Sequence, residues 1–543
     1  MGFFQIEEER PTPKQIYNWK IYVSTAIASS ASMMIGYDNG FVGGALALQG
    51  FIDEFFEGRT AGDITALKSN IISLFQAGCF FGALFSYPVG HHYGRKKGLV
   101  ASGFLIILGA VIMMCSSKSR GLGPILAGRV ISGLGVGATS NLAPIYIAEI
   151  APPPIRGMLS GSYDVGWRVG DLTGFWINYG VSEHITGRAQ WMIPFGVQLA
   201  PAVIFLLGAS FLVESPRWLI QNGQVEHGVE NLAYIRNLDL SNDYLQYELT
   251  RIQDSIEEQR RTVGLDLWGP FRECISSTNI MFRIFITASI FVLQNGFGIQ
   301  AINYYSPIIF ESLGVTGTSA TLLSSGLFGV VKFVTCFIWI FTVVDRVGRR
   351  PSLMAGSVGC AVCFFYIGAF IKLGKPGTEG HEGGSPAGRA AIGMMYIWTF
   401  IFMMSWSATP WVLGAECFDQ NIRTFVQAIN AAASWASVFV IARFTAQMIS
   451  ALGYGTYFLF ASISILTFPY IFFVLPETKG IPLEAMDRLF KGDVPAWRAH
   501  RKLMAELQKE AQEISPAVND SLFDKGDVEQ IENVDSASFH KGH

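Results

Sequence analysis

Twelve stretches of this chain are apolar over enough residues to cross a lipid bilayer, and this feature restricts the fold more than any other. They form two groups of six, separated by a polar interval from Glu214 to Asn279. Because the bilayer core offers no water to backbone amides, such segments fold as α-helices. We therefore predict an all-α membrane protein with twelve transmembrane helices. The predicted spans are 20–45, 68–88, 97–115, 124–148, 157–181, 191–213, 280–311, 319–344, 352–372, 391–415, 424–449 and 455–475.

Basic residues and polar intervals divide the chain into five predicted segments. Most clusters of Lys and Arg lie on the side shared by both termini, which the positive-inside rule assigns to the cytoplasm. Lys118, Arg120, Lys372 and Lys375 lie on the opposite side and weaken that rule. The predicted segments are a cytoplasmic N-terminal segment 1–19, a six-helix half 20–213, a cytoplasmic linker of short amphipathic helices 214–279, a second half 280–475, and a cytoplasmic tail 476–543 whose last part is disordered.

The composition excludes several classes of protein. Only 15% of the residues are charged, against about 25% in soluble domains, and the mean hydropathy is +0.35. A net charge of −3 without a basic patch argues against a nucleic-acid partner. No GxxxxGK[ST] motif occurs, which disfavours an ATP-driven pump. Since no Ser/His/Asp or metal-ligand set stands out, we expect no enzyme activity, cofactor or metal.

Short motifs repeat between the two halves. Gly94-Arg95-Lys96 matches Gly348-Arg349-Arg350, and Ala148-Glu149 matches Ala415-Glu416. Glu214-Ser215-Pro216 corresponds in the same way to Pro476-Glu477-Thr478. Each motif recurs about 260 residues later, which is typical of a transporter built from two similar halves around a site at the bilayer midplane.

Four amide side chains stand within the apolar run from Ile280 to Phe310. Unpartnered amides are costly in hydrocarbon, so we expect them to face a cavity that holds water or a polyhydroxylated ligand. Gly296 and Gly298 permit local unwinding, which helps the amides to converge. The alternative is hydrogen bonding between helices, worth ~0.6 kcal/mol per contact. The amides are Gln294, Asn295, Gln300 and Asn303.

From about Tyr17 to Phe490 the chain resembles the sugar porter family of the major facilitator superfamily. Within that family it is most similar to the fungal quinate permeases and acidic-sugar transporters, through RPTPKQIYNW, MIGYD, FQAGCFFGALF, GFWINYG and FGVVK. Gln294-Asn295 replaces the usual paired glutamines, and Gly298-Ile299-Gln300 replaces the usual GIN. The family motifs are GRVISGLGVG (128–137), PIYIAEIAPPPIRG (144–157), ESPRWL (214–219), QNGFGIQAINYYSP (294–307), DRVGRR (345–350) and PETKG (476–480).

The resemblance implies a major facilitator fold and secondary active transport by alternating access. It favours proton symport of a small hydroxylated acid, quinate- or galacturonate-like, or of a related monosaccharide, across the plasma membrane. We expect a multi-pass monomer with both termini in the cytoplasm. The alternatives are a neutral hexose or pentose transporter and a non-transporting nutrient sensor. A sensor is expected to carry a long signalling tail, and the tail after Leu475 is modest.

Ionisable residues inside predicted spans are the natural candidates for function. In the resembling proton symporters, an Asp at the position of Asp38 pairs with the Arg at the position of Arg129. An Asp that exchanges an arginine for a proton couples proton movement to conformation. The alternative is a permanent salt bridge between helices.

A second group of charges lies in the fifth and eighth predicted helices. Asp164, Arg168 and Asp171 share a helix face at i, i+4 and i+7, and the resemblance places sugar-contacting glutamines at both Asp positions. They form either a self-compensated triad or direct ligand contacts. Lys332 takes the place of a family asparagine that touches the sugar. It binds either the carboxylate of a ligand or an internal acid, Asp164 or Asp38.

The resemblance also places two tryptophans at positions that stack on the sugar ring, Trp411 and Trp435. An indole suits a flat apolar sugar face, although packing between helices is the alternative. The complete predicted substrate site is Asp164, Asp171, Gln294, Asn295, Gln300, Asn303, Lys332, Trp411 and Trp435.

Acids and bases of the cytoplasmic family motifs form a predicted gate. Paired across helix ends, they would hold the two halves together in the outward-facing state. The alternative is simple positive-inside anchoring, which leaves the interleaved acids unexplained. The predicted gating residues are Glu149, Arg156, Glu214, Arg217, Asp345, Arg346, Arg349, Glu416, Arg423 and Glu477.

Overall fold

The computed structural model describes residues 12–315, 317–342, 347–374, 386–418, 420–481, 485–490, 494–507 and 509. Within these ranges the chain is almost entirely helical and contains no strand, apart from an isolated bridge between Ser117 and Gly121. An all-α protein follows directly from the long apolar runs, since helices satisfy their backbone hydrogen bonds internally.

The first half contains six long helical segments, the last of them broken into two helices at Gln198. A short helix follows the first segment. The helices are α1 (Trp19–Ala45), α2 (Gln49–Phe55), α3 (Ala61–Tyr93), α4 (Arg95–Met114), α5 (Gly123–Ile150), α6 (Arg156–His184), α7 (Ala189–Val197) and α8 (Leu199–Phe211).

Four helices of 6 to 20 residues join the two halves. Arg236 fixes them to the bundle, because its guanidinium donates to Glu248 and to the backbone carbonyl of Ile150 at 2.7 Å. We call the end of the bundle where they lie the linker face. They are α9 (Pro216–Gln221), α10 (Val225–Arg236), α11 (Asp243–Thr262) and α12 (Gly269–Ser276).

The second half repeats the arrangement, with two of its six segments broken near their middles. One break lies at Phe297 and Gly298, and the other at Trp406, Ser407 and Ala408. The helices are α13 (Thr278–Gly296), α14 (Ile299–Ser312), α15 (Thr318–Thr342), α16 (Arg349–Gly374), α17 (Pro386–Ser405), α18 (Thr409–Glu416), α19 (Gln420–Leu452), α20 (Gly455–Val474) and the short α21 (Met486–Leu489).

Ten segments of the described chain are long and apolar enough to cross a membrane, counting each broken pair once. Helices α1 and α6 complete the expected twelve, with 27 and 29 residues. They are more polar than the rest: α6 carries the Asp164–Arg168–Asp171 group, and α1 carries Asp38. The two polar helices pack against each other inside the first half.

Small residues allow α1 and α6 to approach closely. A Cβ at Gly36 would overlap the backbone carbonyl of Trp167, and one at Gly170 would overlap that of Met33. The hydrophobic effect does not drive helix association in a bilayer, so close van der Waals packing at these glycines stabilises the pair instead. The halves meet along α3 with α19, α6 with α15, and α1 with α14. The candidate site lies between those seams.

Candidate functional site

A cavity of about 1560 Å³ lies between the two halves. Its inner wall includes the amide stretch of α13 and α14 together with Asp164 and Arg168 of α6. At the other end it is lined by Arg217 and Gln221 of α9, so it extends from mid-membrane to the linker face. A drug-sized ligand needs about 300–1,000 Å³, so this volume accommodates a small polar molecule with water.

The predicted unwinding occurs where the glycines are. Helix α13 ends at Gly296, and Gly298 adopts φ +84° before α14 begins. That backbone region favours glycine because it has no Cβ. A second irregularity, at Tyr305, follows in α14 with φ −119° and ψ 19°. The break at Phe297 and Gly298 separates the first pair of amides, Gln294 and Asn295, from the second pair, Gln300 and Asn303.

All four predicted amides line the cavity, and all four also bond within the protein. Gln294 Nε2 donates to the carbonyls of Trp406 and Ser407 at 2.7 and 2.8 Å. Asn295 Nδ2 donates to Ser437 Oγ at 2.8 Å, and Asn303 Nδ2 donates to Gln300 Oε1 at 3.2 Å. The cavity and the interhelix interpretations are therefore not exclusive, because each amide keeps a further donor or acceptor site.

The charged group of α6 forms a network with α15. Arg168 Nη2 donates to Asp164 Oδ1 at 2.9 Å, and Arg168 Nη1 donates to Asp171 Oδ2 at 3.1 Å. The thiol of Cys336 donates to Asp164 Oδ2 at 3.1 Å. We call Asp164, Arg168, Asp171 and Lys332 the charged cluster. Its two acids and two bases sum to zero charge.

The internal partner of Lys332 differs from both acids named from the sequence. Its Nζ lies 2.5 Å from Asp171 Oδ2 and 3.0 Å from Asn303 Oδ1, whereas Asp164 and Asp38 were the expected acids. Lys332 is 1% exposed and does not line the cavity, and the same is true of Asp171 at 0%. Lys332 reaches Asp171 because α15 packs against α6. The spacing of residues within α6 does not reveal which of its turns lies beside Lys332.

Asp38 and Arg129 form the expected ion pair. The Arg129 guanidinium bonds both oxygens of Asp38, the second at 3.2 Å, and Arg129 Nε donates to the Ile71 carbonyl at 2.9 Å. The guanidinium lies 4.4 Å from the centroid of the Phe75 ring. Both side chains are buried, and neither lines the cavity.

The two predicted tryptophans both border the cavity. Trp435 donates its indole N–H to Ser140 Oγ of α5 at 3.1 Å, which links the halves. Trp411 packs edge-on against Phe291, with centroids 4.8 Å apart. Ser140, Asn141 and Ser407 also line the cavity and were not predicted, because isolated small polar residues in apolar runs carry no distinctive signal.

Two tyrosines of α14 close the end of the cavity that lies away from the linker face. Tyr304 Oη donates to Asn39 of α1 and accepts from Gln76 Nε2 of α3 at 2.6 Å. Tyr305 Oη donates to the Ala442 carbonyl at 2.7 Å and lies 3.4 Å from Ser69 Oγ. These tyrosines join the second half to the first and are buried. Asn39 and Gln76 were not predicted, although Gln76 belongs to the FQAGCFFGALF stretch and Asn39 directly follows MIGYD.

The predicted gating residues pair within each half in this conformation. Arg95 Nη2 contacts Glu149 at 2.7 Å in the first half, and Arg349 Nη2 contacts Glu416 at 2.6 Å in the second. Arg95 was missing from the predicted gate, although the repeated motif contains it. The motifs thus place corresponding ion pairs in the two halves.

Two glutamates anchor the start of α4 and of α16 in the same way. Glu214 Oε1 accepts from the backbone N–H of Arg95 at 2.9 Å, and Glu477 Oε1 accepts from that of Arg349 at 2.9 Å. A carboxylate at a helix N-terminus is favourable because it satisfies unpaired N–H groups and the helix dipole.

The remaining predicted gating residues are described by their position at the cavity rather than by an ion pair. Arg156, Arg217 and Arg423 line the linker-face end of the cavity. Burial lowers the pKa of the Arg217 guanidinium, whose Nη2 donates to Ser255 Oγ at 3.2 Å. Asp345 and Arg346 lie outside the described residues.

Comparison with known proteins agrees with this architecture. The family model described as "Sugar (and other) transporter" matches residues 24–490. A relative named "Probable quinate permease" from Aspergillus flavus is 47% identical over 538 residues, covering 99% of this chain and 100% of the relative. Its namesake from Aspergillus niger is 46% identical over 537 residues, covering 98% and 99%.

Solved structures show the same fold. The proton:xylose symporter XylE bound to 6-bromo-6-deoxy-D-glucose superposes with a TM-score of 0.71 at 25% identity, covering 87% of this chain and 99% of that chain. The inward open conformation of the xylose transporter XylE from E. coli superposes with a TM-score of 0.69 at 24% identity, covering 86% and 99%. The superpositions show that this chain shares their fold.

Proposed function

The chain belongs to the sugar (and other) transporter family of the major facilitator superfamily, and from that membership we propose that it carries a small hydroxylated acid, quinate- or galacturonate-like, together with protons. It acts by alternating access: the central site is exposed first to one side of the membrane and then to the other. It is a membrane transporter and not an enzyme, in keeping with relatives that are named permeases.

One observation carries the substrate proposal: two buried cations lie beside the amides inside the membrane, Arg168 in the cavity wall and Lys332 behind it. Amides and serines suit hydroxyl groups, since each offers a donor and an acceptor. Arg168 adds the charge that a carboxylate requires. Relatives named probable quinate permeases, which match along nearly the whole chain, support the same substrate class.

Proton coupling is assigned to Asp38 and Arg129. A buried aspartate beside an arginine has two stable arrangements: ionised and paired, or protonated and released. Each arrangement favours a different packing of α1 against α5, so a proton biases the conformation. The neighbour described as a proton:xylose symporter supports coupling of this kind.

We place the linker face in the cytoplasm of a cell whose plasma membrane holds the carrier. The basic residues at that face support the orientation. The cavity would then open inward, with Tyr304 and Tyr305 closing the outer side. When the cavity closes inward, the ion pairs at the linker face would exchange partners between the halves.

A neutral hexose or pentose is the second candidate substrate. The charged cluster is balanced internally, so it does not require an anionic ligand. The neighbour bound to 6-bromo-6-deoxy-D-glucose supports a neutral ligand in this fold.

Uptake of labelled quinate, galacturonate, glucose and xylose by cells that lack their own carriers tests the proposal. We expect accumulation of one of the acids that rises when the outside is made acidic and stops when a protonophore is added. Uptake of glucose or xylose that neither acid inhibits would replace the acidic substrate with the neutral one. Accumulation that a protonophore does not reduce would remove the proton coupling.

A further inference from the structure

The charged cluster is not uniformly accessible from the cavity. The Asp164 side chain is 24% exposed and that of Arg168 is 9% exposed, whereas Lys332 and Asp171 are at 1% and 0%. Of these four residues, only Asp164 and Arg168 line the cavity. A ligand therefore meets Arg168 first, and Lys332 lies behind it.

Arg168 has donors to spare. A guanidinium offers five N–H groups, and Arg168 makes three hydrogen bonds, to Asp164, to Asp171 and to Ser407 Oγ at 3.1 Å. Its Nε is buried and has no partner in the described part of the chain. A buried donor without an acceptor is costly, so a carboxylate of a ligand would relieve that cost.

Two neighbours on α6 are in the same situation. Tyr163 Oη and Trp167 Nε1 are buried and bond to nothing among the described residues, and both residues line the cavity. The residues that carry these three buried donors stand within six positions of α6, and each also borders the cavity.

Lys332 is held by internal contacts that use two of its three N–H donors. Its ammonium contacts Asp171 and Asn303, and it lies 5.2 Å from the ring centroid of Phe328. By neutralising Asp171 it leaves Arg168 with one competing carboxylate, Asp164. Without Lys332, two aspartates would share one arginine and the cluster would carry a net negative charge.

Resting on the proposed function, we infer that Arg168 binds the substrate carboxylate in exchange for Asp164, and that Lys332 is a positioning residue. Arg168 suits this role because its planar fork binds carboxylates in two-point contacts. Lys332 holds Asp171 and Asn303 in place and does not touch the ligand.

Two double variants of the purified carrier separate the cations while preserving net charge. Arg168→Gln with Asp164→Asn removes the exposed pair, and Lys332→Gln with Asp171→Asn removes the buried pair. The probes are quinate and its uncharged methyl ester, measured by calorimetry. We expect the first variant to bind quinate about 10- to 150-fold more weakly and no better than the ester. The second should keep most of the preference for quinate.

The opposite pattern, with the preference lost only in the second variant, would assign the carboxylate to Lys332 and overturn the inference. Equal preference in both variants would overturn it as well. Wild-type protein that binds neither probe would instead remove the proposed acidic substrate. Size-exclusion profiles and thermal unfolding confirm that each variant is folded.

Asp164→Asn with Arg168 intact tests the exchange itself. This variant should bind quinate more tightly than wild type, because the competing carboxylate is gone, while its Kd for the uncharged methyl ester should stay the same. A Kd for quinate equal to or higher than that of wild type would contradict the exchange.

Discussion

At the scale of single residues, Asp38, Arg129 and the charged cluster form ion pairs in the interior of this carrier. Arg129 is 0% exposed, and its bond to Asp38 compensates for the loss of hydration of both groups. Removing one partner of a buried pair leaves the other as an uncompensated buried charge, which lowers the free energy of unfolding by about 3–5 kcal/mol. A neutral replacement of the same shape is milder, because it can still accept a hydrogen bond.

Asp38→Asn should abolish concentrative uptake and leave counterflow exchange at least partly intact. The amide oxygen still accepts from Arg129, so the fold is retained, but the side chain no longer takes up and releases a proton. Both activities are measured in proteoliposomes with and without an imposed pH gradient. Glu57→Gln is the control, since Glu57 is 69% exposed and bonds Lys118 at the opposite face. Accumulation by the Asn variant against a gradient would rule out the coupling role.

Gln294→Ala and Trp411→Ala should each raise the apparent Km about 2- to 10-fold, without loss of surface expression. Both residues line the cavity, and Gln294 also fixes the chain break at Trp406 and Ser407. Trp268→Ala is the control, because Trp268 is 59% exposed on the linker. If both cavity variants keep wild-type kinetics, the amide-rich stretch does not contact the substrate.

At the scale of helices, the breaks matter as much as the spans. Gly298 lies at φ +84°, and a Cβ there would come within 3.0 Å of the Phe460 ring. The sequence predicts this break because two glycines stand in an apolar run. Pro201, which has no N–H to bond the carbonyl of Val197, is the corresponding signal for the break at Gln198.

Gly298→Ala should lower the thermal unfolding temperature of the purified protein, by strain of about 1 kcal/mol or more. Gly180→Ala is the matched control, since Gly180 lies in α6 with nothing within 4 Å of a Cβ. That change should be neutral or slightly stabilising, because alanine favours helices. An unchanged unfolding temperature in the Gly298 variant would show that the break tolerates a side chain.

Helix positions follow from the sequence, whereas the partners of side chains do not. The predicted span 20–45 corresponds to α1 at Trp19–Ala45, because apolar length decides it. Helix α3 runs well beyond the predicted 68–88, to Ala61 and Tyr93, since helices continue outside the bilayer with polar residues. Lys332 was recognised as a candidate, but its contact with Asp171 depends on the packing of two helices far apart in sequence.

At the scale of the whole molecule, alternating access as proposed makes this structure one of two conformations. The cavity reaches the linker face, and hydrogen bonds between the halves close the opposite end. At the linker face, Arg95 and Arg349 each bond an acid of their own half. Hydrogen bonds that join the halves at one end favour this state, so removing them should shift the equilibrium.

Tyr304→Phe should shift the equilibrium towards opening at the face opposite the linker. The change removes two hydrogen bonds between the halves, and each contributes about 0.5–1.5 kcal/mol. Spin labels at exposed positions 57 and 318 should report a larger fraction of long distances. Tyr470→Phe is the control, because Tyr470 bonds Ser289 within the second half. Identical distance distributions for Tyr304→Phe and wild type would show that Tyr304 does not hold that end closed.

The cancellation of charge among Asp38, Arg129 and the charged cluster has an electrical consequence. These six side chains sum to zero, so they move no net charge across the membrane field when the empty carrier reorients. Voltage acts only on what the cargo adds, at about 2.3 kcal/mol per elementary charge for 100 mV. For the proposed cargo, one proton with a monovalent acid adds no charge, whereas a second proton would make uptake faster at a negative interior. The voltage dependence of uptake would therefore reveal how many protons travel with each acid.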